Sequence, residues 1–317
     1  MFYFLVNPYS RSGATRKRWA KIQSILRKNK IPYKELITKN RQDATKLTRS
    51  LMKMHEKDKE PIKLVILGGD GTINEVINGI TDFDKVLVGY LPGGSGGDFA
   101  KGLKLDDDCV LMEHILCGEE RRRIDVGKLT FNSVLSPNSD NVPKSFYFTV
   151  SAGMGFDAAV CEAACNSKTK KILNKVHLGK LTYLAIALKQ ICNTPKNKLI
   201  FEIDDHISFE LNNTIFATSM IHSYEGGGFK FCPDADDTDG QLDICAFANM
   251  SLSKILGGLP IAFLGLHKKI QGVHLMNCQK LHLQSDIPLW IHTDGEVYAK
   301  SSDIKVECLQ KKLRLLI

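Results

Sequence analysis

Apolar runs of five or six residues alternate with amphipathic segments through about the first 120 positions of the chain. The strand-like runs cover 2–6, 33–37, 62–67 and 86–91, and helical spacing covers about 15–28, 43–55 and 109–117. Within this alternation Leu64, Val65, Ile66 and Leu67 form an unbroken aliphatic run, as in a strand buried on both faces, and lead directly into Gly68, Gly69, Asp70 and Gly71. Ile73, Val76, Ile77 and Ile80 then recur at i, i+3, i+4 and i+7, and Thr72 and Glu75 have capping-box spacing, so the turn opens a helix. Strands alternating with helices predict a parallel sheet with right-handed crossovers, a three-layer α/β domain.

The texture changes at the basic run Arg121, Arg122 and Arg123, and a domain boundary is expected near Asp125. Beyond it short alternating segments at 145–150, 199–203, 207–211, 215–221, 242–247, 280–284 and 289–292 read as strands separated by turn clusters. They predict a second domain, a β-rich, mainly antiparallel sandwich. Helices are expected at about 157–164, 170–191 and 251–267. The division is therefore 1–125 and 126–317, and 317 residues suffice for two separate cores.

Composition narrows the setting. Hydrophobic content of 43% with 25% charged residues is that of a globular chain, and no apolar run reaches the length of a membrane span. The segment 256–266 is too short and is broken by Gly257, Gly258, Pro260 and Gly265. The N-terminus lacks a basic region and a cleavage site, so a cytoplasmic protein is expected. Nine scattered cysteines without a C-x-x-C pair read as reduced core thiols. The net charge of +8 suits an anionic partner, and without a nucleic-acid motif that partner is ATP or an acidic membrane surface.

The stretch 68–75 carries the clearest chemistry. A strand, a glycine turn and a helix start bring bare backbone N–H groups and the positive end of a helix dipole to one point, which favours phosphate. Asp70 among those donors complements a metal ion, so the expectation is a magnesium–nucleotide site. A dinucleotide fingerprint would need glycine where Asn74 stands, and no P-loop string occurs. Asn7, Ser10 and Gly13 offer small polar groups after the first strand, and a second glycine loop runs over 92–97. Its Gly93-Gly94-Ser95-Gly96-Gly97 string also fits a hydrolase nucleophile elbow with His292 downstream, but a hydrolase would leave 68–75 without a role. Two acidic turns follow, at 234–243 and at Thr293, Asp294, Gly295 and Glu296; read by themselves they are a solvated loop and a hairpin turn.

Taken together, G-G-D-G-T with I-N-E at 68–75, the loop at 92–100 ending in Asp98, Phe99 and Ala100, G-G-G-F at 226–229, D-G-x-L-D at 239–243 and D-G-E at 294–296 resemble the signatures of the lipid kinase family with a diacylglycerol kinase catalytic domain. That family includes bacterial lipid kinases and sphingosine kinases. Gly97 stands where the family pattern has asparagine. The resemblance implies an α/β nucleotide-binding domain, and a β-rich lipid-substrate and metal-binding domain whose last segment, about 304–317, returns to the first. It implies ATP held by Asn7, Ser10, Gly13, Thr38, Gly69, Asp70, Gly71, Thr72, Ile73, Asn74, Glu75, Gly94 and Ser95, with Asp70 organising a catalytic Mg2+. It also implies a structural Mg2+ on the Asp239 carboxylate and the carbonyls of Asp236 and Gln241, and Glu296 as the proton acceptor for a lipid hydroxyl. The partners are then ATP and a lipid such as diacylglycerol, met transiently at the inner face of the membrane, and no nucleic acid; a homodimer is left open. Lysines 168, 170, 171, 175 and 180 on one helical stretch are a candidate docking face. NAD kinases share the G-G-D-G-T core and are the nearest rival, and a non-catalytic nucleotide or lipid sensor on the same fold is the other alternative.

Overall fold

A computed structural model of the chain describes residues 1–93, 97–105, 108–135, 142–166, 189–191 and 194–317. The chain divides into two units, one of Met1–Val126 with Asp237–Gly240 and Leu309–Ile317, the other of Gly127–Asp236 with Gln241–Cys308. Most of the helix expected at 170–191, with its lysines, lies outside the described residues.

In the first unit β1 (Phe2–Val6), β2 (Tyr33–Ile37), β3 (Ile62–Gly68) and β4 (Val86–Pro92) pair in parallel, with β1 between β2 and β3 and β4 beyond β3. The continuous apolar sequence of β1 and β3 is explained by burial, since every residue of β1 is buried and Lys63 is the one residue of β3 that is not. Helix α1 (Ala14–Lys28) buries Trp19, Ile22 and Leu26, spaced i, i+3 and i+7, in a core with Phe2, Phe4, Val65 and Leu67. Helices α2 (Asp43–Met54), α3 (Asp70–Ile77), α4 (Asp98–Leu103) and α5 (Asp108–Cys117) follow β2, β3 and β4 in chain order.

The capping box expected at Thr72 and Glu75 does not form. The N-cap of α3 is Gly69, which places Thr72 inside the first turn, where it receives a hydrogen bond of 3.0 Å from Asn7 Nδ2. Glu75 instead caps a different helix: its carboxylate accepts the backbone N–H groups of Gln42 at 2.9 Å and Ala44 at 3.1 Å at the start of α2. A carboxylate gains more from the unfilled donors of a neighbouring helix than from one amide of its own.

The second unit is built on antiparallel pairs. Its strands are part of β5 (Arg122–Phe131), then β6 (Ser145–Phe148), β7 (Ser151–Gly155), β8 (Asn197–Ile203), β9 (Ile207–Met220), β10 (Leu242–Ala248), β11 (Val273–Cys278), β12 (Lys280–Thr293) and β13 (Glu296–Leu315), which ends in the first unit. Helix α6 (Phe156–Asn166) follows β7, and α7 (Leu252–Phe263) lies between β10 and β11. Two expected strand pairs are single long strands. The first half of β9 pairs with β8 and the second with β7 and β10, with Asn213 at φ 50° where the partners change. Likewise β12 pairs with β8 over Leu281–Ser285 and with β7 over Ile291–Thr293. Irregularities that look like turns in sequence are bulges that re-aim a continuing strand. Three of the cysteines, Cys232, Cys245 and Cys278, are core thiols as expected, whereas Cys109 and Cys117 are exposed.

Asp125 ties the separate segments of the first unit. It is fully buried, its carboxylate accepts Gly240 N–H at 2.7 Å and Lys311 N–H at 2.6 Å, and its own N–H donates to the Asp237 carbonyl at 2.7 Å. Arg122 forms an ion pair with Asp237 beside it. Each hydrogen bond to a buried charge contributes about 1.5–3 kcal/mol. Asp125→Ala is therefore expected to lower the unfolding free energy by about 3 kcal/mol or more, read by urea denaturation; a change below about 1 kcal/mol contradicts this role.

Candidate active site

Three helices of the first unit begin on glycine after a strand: Gly13 caps α1, Gly69 caps α3 and Gly97 caps α4, and none of the three N-termini has a side-chain cap. The strands that precede them, β1, β3 and β4, are parallel, so all three helix starts belong to one edge of the sheet. First-turn N–H groups at helix starts of this kind favour an anion, and one of them, Asp98 N–H at the start of α4, already donates to the Asp70 carboxylate.

Close backbone approach holds this edge together. Gly93 N–H donates to the Gly68 carbonyl at 2.6 Å, and Thr15 Oγ1 donates to the carbonyls of Ser10 at 3.2 Å and Gly93 at 3.4 Å. A Cβ on Gly68 would lie 2.6 Å from the Thr72 side chain, and one on Gly93 would lie 2.9 Å from Thr15 Oγ1. Asn7 reaches across to Thr72, and its Oδ1 accepts Tyr9 N–H at 3.1 Å. Asp70 is linked to the next helix start, because its Oδ2 accepts the Asp98 N–H at 3.2 Å. Beneath them Tyr90 is fully buried, and its phenol is pushed well above its usual range by burial first and then by the carboxylates of Asp70 and Asp98, with Arg18 opposing. Asp98 is itself paired with Lys101 at 3.1 Å, and a carboxylate such as Asp70 is an oxygen donor of the type a hard cation takes. Thr38, buried at the end of β2, turns its hydroxyl to the Val6 carbonyl at 3.4 Å. Ile73 and Asn74 are buried within α3, and Gly94 and Ser95 lie outside the described residues.

In the second unit the turn before Glu296 is clamped from two sides. Asp294 Oδ1 accepts the N–H groups of Val150 at 2.8 Å and Ser151 at 3.0 Å, while Oδ2 accepts Thr149 N–H at 3.0 Å. Asp294 N–H donates back to the Ser151 carbonyl at 2.8 Å. Gly295, at φ +81°, donates its N–H to His292 Nδ1 at 3.1 Å. His292 is fully buried, with Nε2 at 3.1 Å from Asp157 and 3.3 Å from Glu225. Glu225 Oε2 accepts Thr218 Oγ1–H at 3.0 Å and Asp157 Oδ1 accepts Ala158 N–H at 2.8 Å.

The ligand atoms of Asp157, Glu225 and His292 lie within 4.8 Å of one another, a spacing open to a metal ion. The imidazole argues against one: an N–H directed at Nδ1 makes that nitrogen an acceptor, so the ring proton is on Nε2, the atom a metal would need. Burial disfavours charge on His292, but the hydrogen bonds it donates to the carboxylates of Asp157 and Glu225 outweigh it and raise its pKa well above the usual 6.5. Proton binding here therefore belongs to His292, Asp157 and Glu225 as a coupled cluster.

The sequence matches the family model described as the diacylglycerol kinase catalytic domain over residues 1–129, and the one described as the YegS C-terminal NAD kinase beta sandwich-like domain over 149–317. The chain belongs to the diacylglycerol kinase catalytic-domain family. A Bacillus subtilis relative named "Putative lipid kinase YtlR" is 26% identical over 297 residues, 93% of either chain. A Staphylococcus saprophyticus relative named "Diacylglycerol kinase" is 25% identical over 238 residues, 75% of this chain and 71% of that one. In fold, the chain is similar to a crystal structure from Bacillus anthracis described as "a putative diacylglycerol kinase", with a TM-score of 0.74, 20% identity, and coverage of 99% of this chain and 94% of that one.

For this diacylglycerol kinase family member, the implied second metal site can be tested on its donors. Asp239 is an exposed carboxylate in a turn closed by Gly240 at φ +80°, and a carboxylate with the backbone carbonyls of Asp236 and Gln241 is an all-oxygen donor set of the kind Mg2+ takes. Asp239 falls in the first unit and Asp236 and Gln241 in the second. Sequence reasoning left Asp157, Glu225 and the role of His292 unassigned. The available signal was the glycine triplet 226–228, all at positive φ, which closes a tight loop with Phe229 N–H on the Glu225 carbonyl at 2.9 Å.

A histidine whose folded pKa is raised contributes stability that is complete below its unfolded value of about 6.5 and is lost as pH rises toward the folded value. The stability advantage of the native protein over His292→Gln is thus expected to be largest near pH 6 and to fall by up to about 1.4 kcal/mol per pH unit above it. Paired unfolding curves from pH 6 to 9 check this, and a difference that is flat or grows with pH contradicts it.

Proposed function

We propose that the chain is an ATP-dependent lipid kinase, which transfers the γ-phosphate of ATP to a hydroxyl of a membrane lipid such as diacylglycerol. The observation that carries the reading is the set of three glycine-capped helix starts on one sheet edge, with Asp70 among them. Backbone amides in that arrangement bind phosphate oxygens and need little reorganisation as charge shifts in the transition state. Asn7, Ser10, Gly13, Thr38, Gly69 to Glu75, Gly94 and Ser95 form the ATP-binding set of the proposal, with the Glu75 side chain acting indirectly by holding α2 against α3. Mg2+ held by Asp70 supplies neutralising charge for the phosphates, and a second Mg2+ on Asp239, Asp236 and Gln241 is structural.

Glu296 is the proposed proton acceptor. A neutral alcohol is a weak nucleophile, and a carboxylate that removes its proton as the oxygen attacks the γ-phosphorus contributes about 10²–10⁴ in rate. Residues 1–125 carry the nucleotide in this reading and 126–317 the lipid. The protein acts from the cytoplasm in transient contact with the inner face of the membrane; among the described residues no helix is long and apolar enough to cross one.

The test is transfer of labelled γ-phosphate from ATP and Mg2+ to diacylglycerol, sphingosine, ceramide, undecaprenol or phosphatidylglycerol in mixed micelles, with NAD as a soluble acceptor. Label is expected on a lipid and is expected to fall by at least about 100-fold in Asp70→Asn. Label on NAD alone, or on no acceptor, overturns the reading.

A further inference from the structure

We infer that α7 and the turn after it are the surface by which this protein docks on an anionic lipid bilayer. Of the fourteen exposed large apolar side chains among the described residues, six fall within 252–266: Leu252, Leu256, Ile261, Phe263, Leu264 and Leu266. A concentration of that kind in one short segment marks an interaction surface rather than ordinary scatter. The inner face of α7 is already satisfied, since Ile255 and Ala262 are buried in a core with Phe216, Phe231 and Phe247. The outer face is therefore not needed for folding, and Lys254 is the one charged residue on the helix.

The helix tip projects most. Phe263 is 50% exposed, Leu264 62% and Leu266 68%, while Gly265 at φ +73° turns the chain between the two leucines. Around the tip lie several basic side chains, with Pro233 and the exposed Asp234 on one side. Lys230 donates its N–H to the Ala262 carbonyl at 3.2 Å and runs alongside Gly265, and Lys268 and Lys269 follow directly. Lys268 is ion-paired with Asp234, Lys230 lies with its ammonium 5.3 Å from the Tyr224 ring centroid and Lys254 Nζ donates to Gln271 Oε1 at 3.5 Å, contacts with neutral groups that keep the charge of Lys230 and Lys254, together with that of Lys269, on this face.

Charge selects the occupant. From Ile244 to Ser285 the sequence contains no aspartate or glutamate and four lysines, Lys254, Lys268, Lys269 and Lys280. A second copy docked on the same face would bring like charges together. An anionic bilayer instead accepts the apolar tip between its headgroups and attracts the flanking lysines. The assignment deepens the lipid kinase reading, since the acceptor would be met in the membrane, yet docking is measured without catalysis.

The experiment uses the full chain with vesicles of phosphatidylcholine, plain or containing about one-third phosphatidylglycerol. Co-sedimentation is expected with the anionic vesicles, reduced at high salt, and is expected to fall at least about tenfold in the Leu264→Asp, Leu266→Asp double variant. Lys269→Glu is expected to weaken binding to anionic vesicles while leaving plain vesicles unaffected. The unfolding midpoint of each variant is measured alongside; if the aspartate pair unfolds the chain, the serine pair at the same positions carries the test. Binding that is unchanged in the folded double variant overturns the proposal, as does a dimer that the double variant dissolves in a chain that binds no vesicle. Vesicle binding without phosphate transfer to any acceptor supports docking and contradicts the kinase reading.

Discussion

One buried carboxylate makes the first unit possible as a discontinuous body. The chain leaves that unit after Val126, returns for four residues at Asp237–Gly240 and returns again from Leu309 to its end. Each return costs conformational entropy and needs a local anchor. Asp125 supplies both anchors at once, one oxygen on Gly240 N–H and the other on Lys311 N–H. Because a carboxylate accepts with both oxygens and carries full charge, no neutral side chain of similar size does the same. The turn it fixes is the one that bears Asp239, the side-chain ligand of the proposed structural metal.

The candidate site follows the same rule, in which acidic side chains act as clamps as often as reagents. Asp294 satisfies three backbone N–H groups of 149–151 and thereby sets the turn that precedes Glu296. His292 holds Gly295 from the other side and is itself fixed by Asp157 and Glu225. A base that must meet a hydroxyl within hydrogen-bond distance benefits from this rigidity, since a displacement of about 1 Å is costly in rate. In the first unit the corresponding rigidity comes from backbone, through Gly68 and Gly93, where no side chain fits between the strand ends.

Much of this was legible in the amino-acid sequence because it is written in local pattern. Unbroken apolar runs announced β1 and β3, and the glycine–aspartate string announced the start of α3. The less legible features depend on partners distant in sequence. Glu75 looked like half of a capping box with Thr72, and it caps α2 because the donors of Gln42 and Ala44 are brought beside it by packing. The splitting of β9 and β12 into shorter strands failed because Asn213 and the 284–289 irregularity resemble turns locally and are bulges in context. The Asp157, Glu225 and His292 cluster had only the glycine triplet beside Glu225 as a signal, since its members come from three segments far apart in sequence. The exposed face of α7 was visible as an apolar run and was excluded as a membrane span; that its outer side is unused required the burial of Ile255 and Ala262 on the other.

The central claim is a division of labour, in which the glycine-capped helix starts and Asp70 bind the nucleotide while Glu296 acts on the acceptor. It is tested most directly by comparing Glu296→Gln with the native protein in two measurements, ATP affinity by calorimetry and phosphate transfer at saturating ATP. The account predicts unchanged ATP affinity with turnover reduced by at least about 100-fold. Turnover within a few-fold of the native rate, or loss of ATP binding in a variant that remains folded, would contradict it.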